Sequence, residues 1–157
     1  MLEASLDRQL NWIAAADSRI AFIFAISTAM LGVLATIAPV SSDKWSIGAA
    51  VFAALALVFN IASLLLVSFA TFPRTDGPKG SIIFFGGIAV TEREQFKQEI
   101  MKIDTEKYID DLAKQCHVNA DIANSKFTWI KRSLISLYLA IIPWGLSVYF
   151  IYGAARR

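Results

Sequence analysis

The 157-residue sequence has a single cysteine and a single histidine, and their scarcity excludes several kinds of functional site. Cys116 alone cannot form an internal disulfide, and with only His117 beside it the chain has too few ligands for a structural zinc site. The sequence also contains no Walker loop, dinucleotide-binding fingerprint or serine nucleophile elbow. We therefore expect no metal site and no enzyme activity, and we interpret Cys116 and His117 as packing or surface residues of a helix.

Charge is scarce as well, because Asp, Glu, Lys and Arg make up only 18% of the chain and the net charge is +2. Such a small excess of positive charge does not predict nucleic-acid binding. Hydrophobic residues reach 56% and lie in long runs without charge, whereas a soluble domain of this size needs a polar shell. The composition therefore indicates a membrane protein.

Three of these runs are long enough to cross a bilayer, at residues 20–38, 46–71 and 133–155. A bilayer core about 30 Å thick needs about 20 apolar residues of helix. A fourth apolar stretch, Ser81 to Val90, is half that length, and we expect it to be interfacial or buried. The predicted fold class is an all-α membrane protein with three transmembrane helices.

The first and third runs are preceded by helical patterns that flow into them without a breaker. Residues 1–19 are predicted to form an amphipathic helix, and residues 72–132 a helical region. Within that region, Thr91 and Glu94 have the spacing of a capping box, and a second helix is expected to begin near Asp104 or Thr105. Exposed ion pairs are expected along these helices, between Glu99 and Lys102 and between Asp110 and Lys114.

Lys and Arg beside a span favour the cytoplasmic side. The basic residues that flank the spans are Arg8, Arg19, Arg74, Lys79, Lys131 and Arg132. They predict that the N-terminus and residues 72–132 are cytoplasmic. Arg156 and Arg157 point the other way, so an inverted chain or a re-entrant third segment is the alternative.

A few polar residues lie inside the runs, namely Ser27, Thr28, Asn60 and Ser63. Such groups hydrogen bond between helices, or they line a pore or a subunit contact. Because no ionisable residue marks an ion path, we favour hydrogen bonding between helices.

Several short motifs occur in a fixed order around the three runs. They are Ala16-Asp17-Ser18-Arg19-Ile20, Phe72-Pro73-Arg74, Gly80 with Ile82-Ile83-Phe84-Phe85-Gly86, Thr91 with Glu94, Asp111-Leu112-Ala113, and Ile122 to Phe127. In these motifs the chain resembles the transmembrane effectors of Pycsar, a bacterial defence against phage that uses cyclic pyrimidine nucleotides. The resemblance covers nearly the whole chain. Arg19 departs from it, since lysine is expected there in many relatives, but the charge is kept.

The resemblance implies that a partner cyclase makes cyclic UMP or cyclic CMP during infection. The effector, a multi-pass protein of the bacterial inner membrane, would sense the nucleotide on the cytoplasmic side, impair membrane integrity and cause abortive infection. It implies a nucleotide ligand and no cofactor, and ligand-biased assembly of small spans favours a homo-oligomer. Two alternatives remain open, a constitutive small ion channel or transport accessory protein, and a membrane subunit that docks a partner protein.

Six residues in or near the motifs are candidates for nucleotide binding: Asp17, Arg19, Phe72, Arg74, Asn124 and Lys126. The three cations suit the phosphate, the carboxylate and the carboxamide suit the base or ribose, and the aromatic ring can stack on the base. The alternative is structural, with Asp17 paired to Arg74 or Lys126 and with Arg19 anchored to lipid.

Overall fold

The computed structural model of the protein describes residues 1–38, 45–72, 77–78 and 80–155. The helices of the described residues are α1 (Leu2–Ile37), α2 (Ile47–Thr71), α3 (Phe85–Val90), α4 (Arg93–Lys102) and α5 (Thr105–Ala155). Helices α1, α2 and α5 are long and apolar enough to cross a membrane, and the described residues contain no strand. The predicted all-α membrane fold is confirmed, including the helical extensions before the first and third spans.

The chain divides into two compact units. The charged unit consists of Met1–Ala16 and Phe72–Lys126, and the apolar unit consists of Asp17–Thr71 and Phe127–Arg157. Helices α1 and α5 each contribute residues to both units.

Helix α2 buries mostly small and polar side chains in the apolar unit. The buried residues of α2 are Ala49, Ala53, Ala56, Asn60, Ser63, Val67 and Ala70. Large apolar residues of the same helix, such as Val58 and Leu65, are exposed. Lipid tails leave no hydrophobic force that drives helices together, so small side chains that let backbones approach closely favour association.

Hydrogen bonds from serine side chains join α2 to α5 in this unit. The hydroxyl oxygens of Ser63 and Ser133 lie 2.9 Å apart, and each is also within hydrogen-bonding distance of the other residue's carbonyl, at 3.0 and 2.8 Å, so each hydroxyl can donate to either acceptor. The hydroxyl of Ser136 donates to the carbonyl of Phe59 at 2.8 Å. Hydrogen bonding between helices is therefore confirmed for Ser63.

Two contacts set the direction of α1 relative to α5. The Arg19 guanidinium lies over the Phe127 ring, 5.4 Å from its centroid. Further along both helices, the Trp144 indole donates to the carbonyl of Met30 at 3.0 Å. Because the later residues of each helix meet, α1 and α5 run in the same direction.

The charged unit contains a buried turn before α3. The Ser81 hydroxyl accepts the backbone N–H groups of Ile83 and Phe84, at 3.1 and 2.9 Å, and Asp111 of α5 accepts the N–H of Ile82 at 2.9 Å. Ser81 and Phe84 are buried, as expected for at least part of this apolar stretch.

Thr91 does not form the predicted capping box. Its hydroxyl donates backward to the carbonyl of Gly87 at 2.8 Å, at the C-terminal end of α3. Helix α4 is preceded instead by Glu92, which makes no side-chain capping hydrogen bond. The predicted capping box is wrong because Thr91 is the C-terminal cap of α3 and the Gly87 carbonyl accepts the threonine hydroxyl, but a helix does begin at this point, at Arg93. The second predicted start is correct, since α5 begins at Thr105 and Asp104 accepts the N–H of Lys107 at 2.8 Å.

Candidate functional site

A cavity of about 520 Å³ lies within the charged unit. Its lining residues are Pro78, Gly80, Ile82, Gln95, Gln98, Glu99, Lys102, Ile103, Lys107, Asp110, Asp111 and Lys114. The residues from α4 have the i, i+3, i+4, i+7 spacing of one helix face, and so do those from α5 between Lys107 and Lys114. Two helix faces and the turn before α3 therefore line an open pocket, and eight of its twelve lining residues are polar or charged.

All three carboxylates in this lining are engaged by the protein itself. Asp111 accepts the backbone N–H of Ile82, as described above, and Asp110 forms an ion pair with Lys114. The hydrogen bond and the charge of Asp110 raise the pKa of Lys114 above its ordinary value. The predicted Asp110–Lys114 pair is confirmed. Glu99 accepts a hydrogen bond from the Gln95 amide at 2.8 Å, and no ion pair with Lys102 occurs in the described part of the chain.

The remaining cations of the cavity are Lys102 and Lys107. Within residues 1–38, 45–72, 77–78 and 80–155, neither ammonium group has an ion-pair partner. Pockets for small ligands usually have about 300–1,000 Å³ and a few well-placed polar groups, and this one falls within that range. The cavity can therefore accept a small anion that also carries hydrogen-bonding groups.

The sequence-predicted site residues are divided between the units. Asp17 and Arg19 lie on α1 in the apolar unit, and both are exposed. The cation–π contact between Arg19 and Phe127 gives this arginine a structural role.

The other candidates belong to the charged unit by position. Phe72 is exposed at the end of α2, Asn124 is exposed on α5, and Lys126 is half-buried there. Arg74 lies outside the described residues. None of the described candidates lines the cavity. That the six residues form one nucleotide site stays a prediction.

Cys116 and His117 have the packing and surface positions that the sequence indicates. The Cys116 thiol is buried in the charged unit and lies 3.7 Å from the carbonyl of Leu2, which anchors the N-terminal segment against α5. The His117 ring is exposed, with its Nδ1 atom 3.2 Å from the Asp121 carboxylate. Over the described ranges, no group of three or more His, Cys, Asp or Glu residues is placed to hold a metal ion.

Sequence reasoning missed the residues that form the cavity, above all Gln95, Gln98, Lys102 and Lys107. Their helical spacing was visible in the sequence. However, a polar stripe of this kind is also typical of a solvated helix surface. Only the packing of α4 beside α5 shows that the two stripes line one pocket.

The profile of the Pycsar effector protein domain, PycTM, matches residues 1–153 of the chain. The chain belongs to the Pycsar effector family. The Pycsar effector protein PtPycTM from Propioniciclava tarda is 24% identical to it over 141 residues, which cover 84% of this chain and 69% of that protein. No solved structure shows a significant match.

Membership of the Pycsar effector family confirms the resemblance that the sequence motifs indicated. Together with the three apolar helices, it makes this chain a transmembrane effector of bacterial antiphage defence. A Pycsar effector works with a partner cyclase that produces a cyclic nucleotide. The cavity and the six candidate residues are therefore two places at which such a ligand can be sought.

Proposed function

We propose that this Pycsar effector binds a cyclic pyrimidine nucleotide, cyclic UMP or cyclic CMP, in the cavity of its charged unit and then impairs the integrity of the bacterial inner membrane. The observation that carries the proposal is the polar cavity with its two cations, Lys102 and Lys107. The proposal places the charged unit on the cytoplasmic side, where the basic residues that flank the spans predict it.

The chemistry of the ligand matches this lining. A cyclic mononucleotide carries one phosphate anion, which attracts the ammonium groups of Lys102 and Lys107. A pyrimidine has donors and acceptors along one edge, and the carboxamides of Gln95 and Gln98 can both donate and accept. Ile82 and Ile103 give the cavity two apolar contacts for the flat base.

The ligand acts as a signal in this proposal, and no catalysis is assigned to the effector. Helices α1 and α5 belong to both units, so a change in the charged unit has a helical route to the apolar unit. Ligand-biased assembly into a homo-oligomer would increase the damage to the membrane, because small spans breach a bilayer more easily together.

The test is equilibrium binding of labelled cyclic UMP and cyclic CMP to the full chain in lipid nanodiscs. We expect Lys102→Ala and Lys107→Ala each to weaken binding by about 10- to 150-fold, since hydrogen bonds to charged groups contribute about 1.5–3 kcal/mol. The matched control is Lys97→Ala, which removes an exposed charge of α4 that does not line the cavity.

The same measurement separates the cavity from the six residues that the motifs predict. If Arg74→Ala or Lys126→Ala abolishes binding while the cavity variants bind normally, the nucleotide site lies at the motif residues. If all four variants bind like the unaltered protein, neither site is correct. Dye uptake by producing cells, with and without nucleotide, then tests membrane damage, and uptake without nucleotide would indicate a constitutive channel instead.

A further inference from the structure

Polar atoms without partners lie inside the apolar unit. Ser27 and Asn60 are fully buried, and within the described residues neither the Ser27 hydroxyl nor either polar atom of the Asn60 carboxamide has a hydrogen-bond partner. Buried polar groups are almost always hydrogen bonded, and the cost of an orphaned one is highest where lipid replaces water. A side chain that served only to join helices would be satisfied, as Ser63 is by Ser133.

One hydrogen bond between α5 and α2 places Asn60 at the level of Ser136. Ser136 donates to the carbonyl of Phe59, the residue directly before Asn60. Both side chains are buried. Asn60 and Ser136 therefore face the interior of the apolar unit at the same height.

Ser27 lies in the same section of the apolar unit. Arg19 of α1 contacts Phe127 of α5, and the two helices run in the same direction. Ser27 lies between Arg19 and Met30, and Ser136 lies between Phe127 and Trp144, so both fall within the stretch that the two contacts of α1 with α5 delimit. Each spanning helix thus contributes one polar residue to a polar layer made of Ser27, Asn60 and Ser136.

The neighbours of Asn60 on the buried face of α2 are small. Ala56 lies one turn before it and Ser63 one turn after it, and both are fully buried. A modest separation of the helices would therefore open a space for water beside the carboxamide. Water suits these orphaned groups because it can both donate and accept.

We propose that the polar layer is the constriction of a water-filled path that opens through the apolar unit when the effector is activated. The ligand of the layer is water together with small hydrated solutes. In the described conformation the Ser27 hydroxyl and the Asn60 carboxamide lack hydrogen-bond partners, whereas the Ser136 hydroxyl is bonded to the Phe59 carbonyl. This inference rests on the proposed function, because it names the route by which membrane integrity is lost.

The test uses cysteine accessibility in the full chain. Cys116 is the single native cysteine, so Cys116→Ala provides a thiol-free background. Asn60→Cys in that background is reconstituted in vesicles and treated with a small charged methanethiosulfonate reagent, with and without cyclic UMP or cyclic CMP. The matched control is Ile61→Cys, the next residue, which lies on the exposed face of α2.

We expect nucleotide to accelerate the reaction at position 60 at least tenfold and to leave position 61 unreactive. The proposal is overturned if position 60 reacts no faster than position 61 in the presence and in the absence of nucleotide. Nucleotide binding is measured on the same vesicles and tests the proposed function separately. If neither nucleotide binds, the proposed function fails, whereas faster reaction at position 60 than at position 61 would still support the water path.

A second set of variants links the layer to permeation. Asn60→Leu and Ser27→Ala should insert and bind nucleotide normally, yet release trapped dye from vesicles at least tenfold more slowly than the unaltered protein. Thr28→Val is the matched control, because the Thr28 hydroxyl is exposed and bonds the Phe24 carbonyl of its own helix. Dye release by Asn60→Leu at the rate of the unaltered protein would overturn the proposal.

Discussion

The two units of this Pycsar effector differ in what their helices bury and what they expose. In the apolar unit, helix α2 buries alanine, serine and asparagine and exposes large residues such as Leu65. In the charged unit the interior contains Leu112, Cys116 and Phe84, and charged side chains are exposed. The same helices, α1 and α5, take part in both arrangements. A large apolar side chain exposed on α2 therefore costs little because it meets lipid, whereas Leu112 of the charged unit gains from burial.

The largest expected effect comes from replacing one leucine with alanine in each unit. Leu112→Ala should lower the stability of the charged unit by about 2–5 kcal/mol, because it leaves a cavity at a residue that is 4% exposed. Leu65→Ala should cost far less, because its side chain is 60% exposed and meets lipid in the folded and the unfolded chain alike. Native-state hydrogen exchange of the full chain in nanodiscs measures both. Similar losses would show that the two units do not differ in this way.

A pair of glycines gives a smaller effect with opposite signs in the two units. A Cβ at Gly87 would lie 2.5 Å from the backbone oxygen of Ser81, so Gly87→Ala should destabilise the charged unit by about 1–3 kcal/mol. Gly32 has nothing within 4 Å of its Cβ position, so Gly32→Ala should stabilise α1, by up to about 1 kcal/mol. Hydrogen-exchange rates of the backbone amides in α3 and α1 measure these changes in stability. A change in stability of the same sign for both variants would contradict the assigned packing.

The sequence predicts the features that lipid enforces. Residues 20–38, 46–71 and 133–155 are recognisable as spans because a bilayer requires about 20 consecutive apolar residues. The helical extensions are equally visible, since the stripe of Leu112 and Cys116 continues toward the third span without a breaker. These signals are local, and each can be read from one stretch of chain.

Features that depend on distant contacts were not predictable in the same way. Thr91 has the spacing of a capping residue, but its hydroxyl bonds Gly87, which no local pattern indicates. Lys102 and Lys107 face one cavity only because α4 packs beside α5. The polar residues of the spans were found, but the sequence does not distinguish Ser63, which has a partner, from Asn60, which has none among the described residues.

The smallest expected effect concerns the satisfied polar contact of the apolar unit. Ser133→Ala removes the hydroxyl pair with Ser63 and should cost about 0.6 kcal/mol, and at most about 1.7 kcal/mol, which is the range for hydrogen bonds between membrane helices. The loss is small because alanine keeps the close packing of the helices and because the Ser63 hydroxyl can still donate to the carbonyl of residue 133 at 3.0 Å.

The double variant Ser63→Ala/Ser133→Ala isolates the hydroxyl–hydroxyl contact, measured by hydrogen exchange of α2 in nanodiscs. We expect its cost to fall short of the sum of the two single costs, since each single variant already breaks the shared pair. A cost far above the membrane range would mean that this contact, rather than small-residue packing, holds α2 against α5. Polar bonding inside the spans would then distinguish the two units. The contact between α2 and α5 would be weaker at Asn60, which has no hydrogen-bond partner among the described residues, than at Ser63.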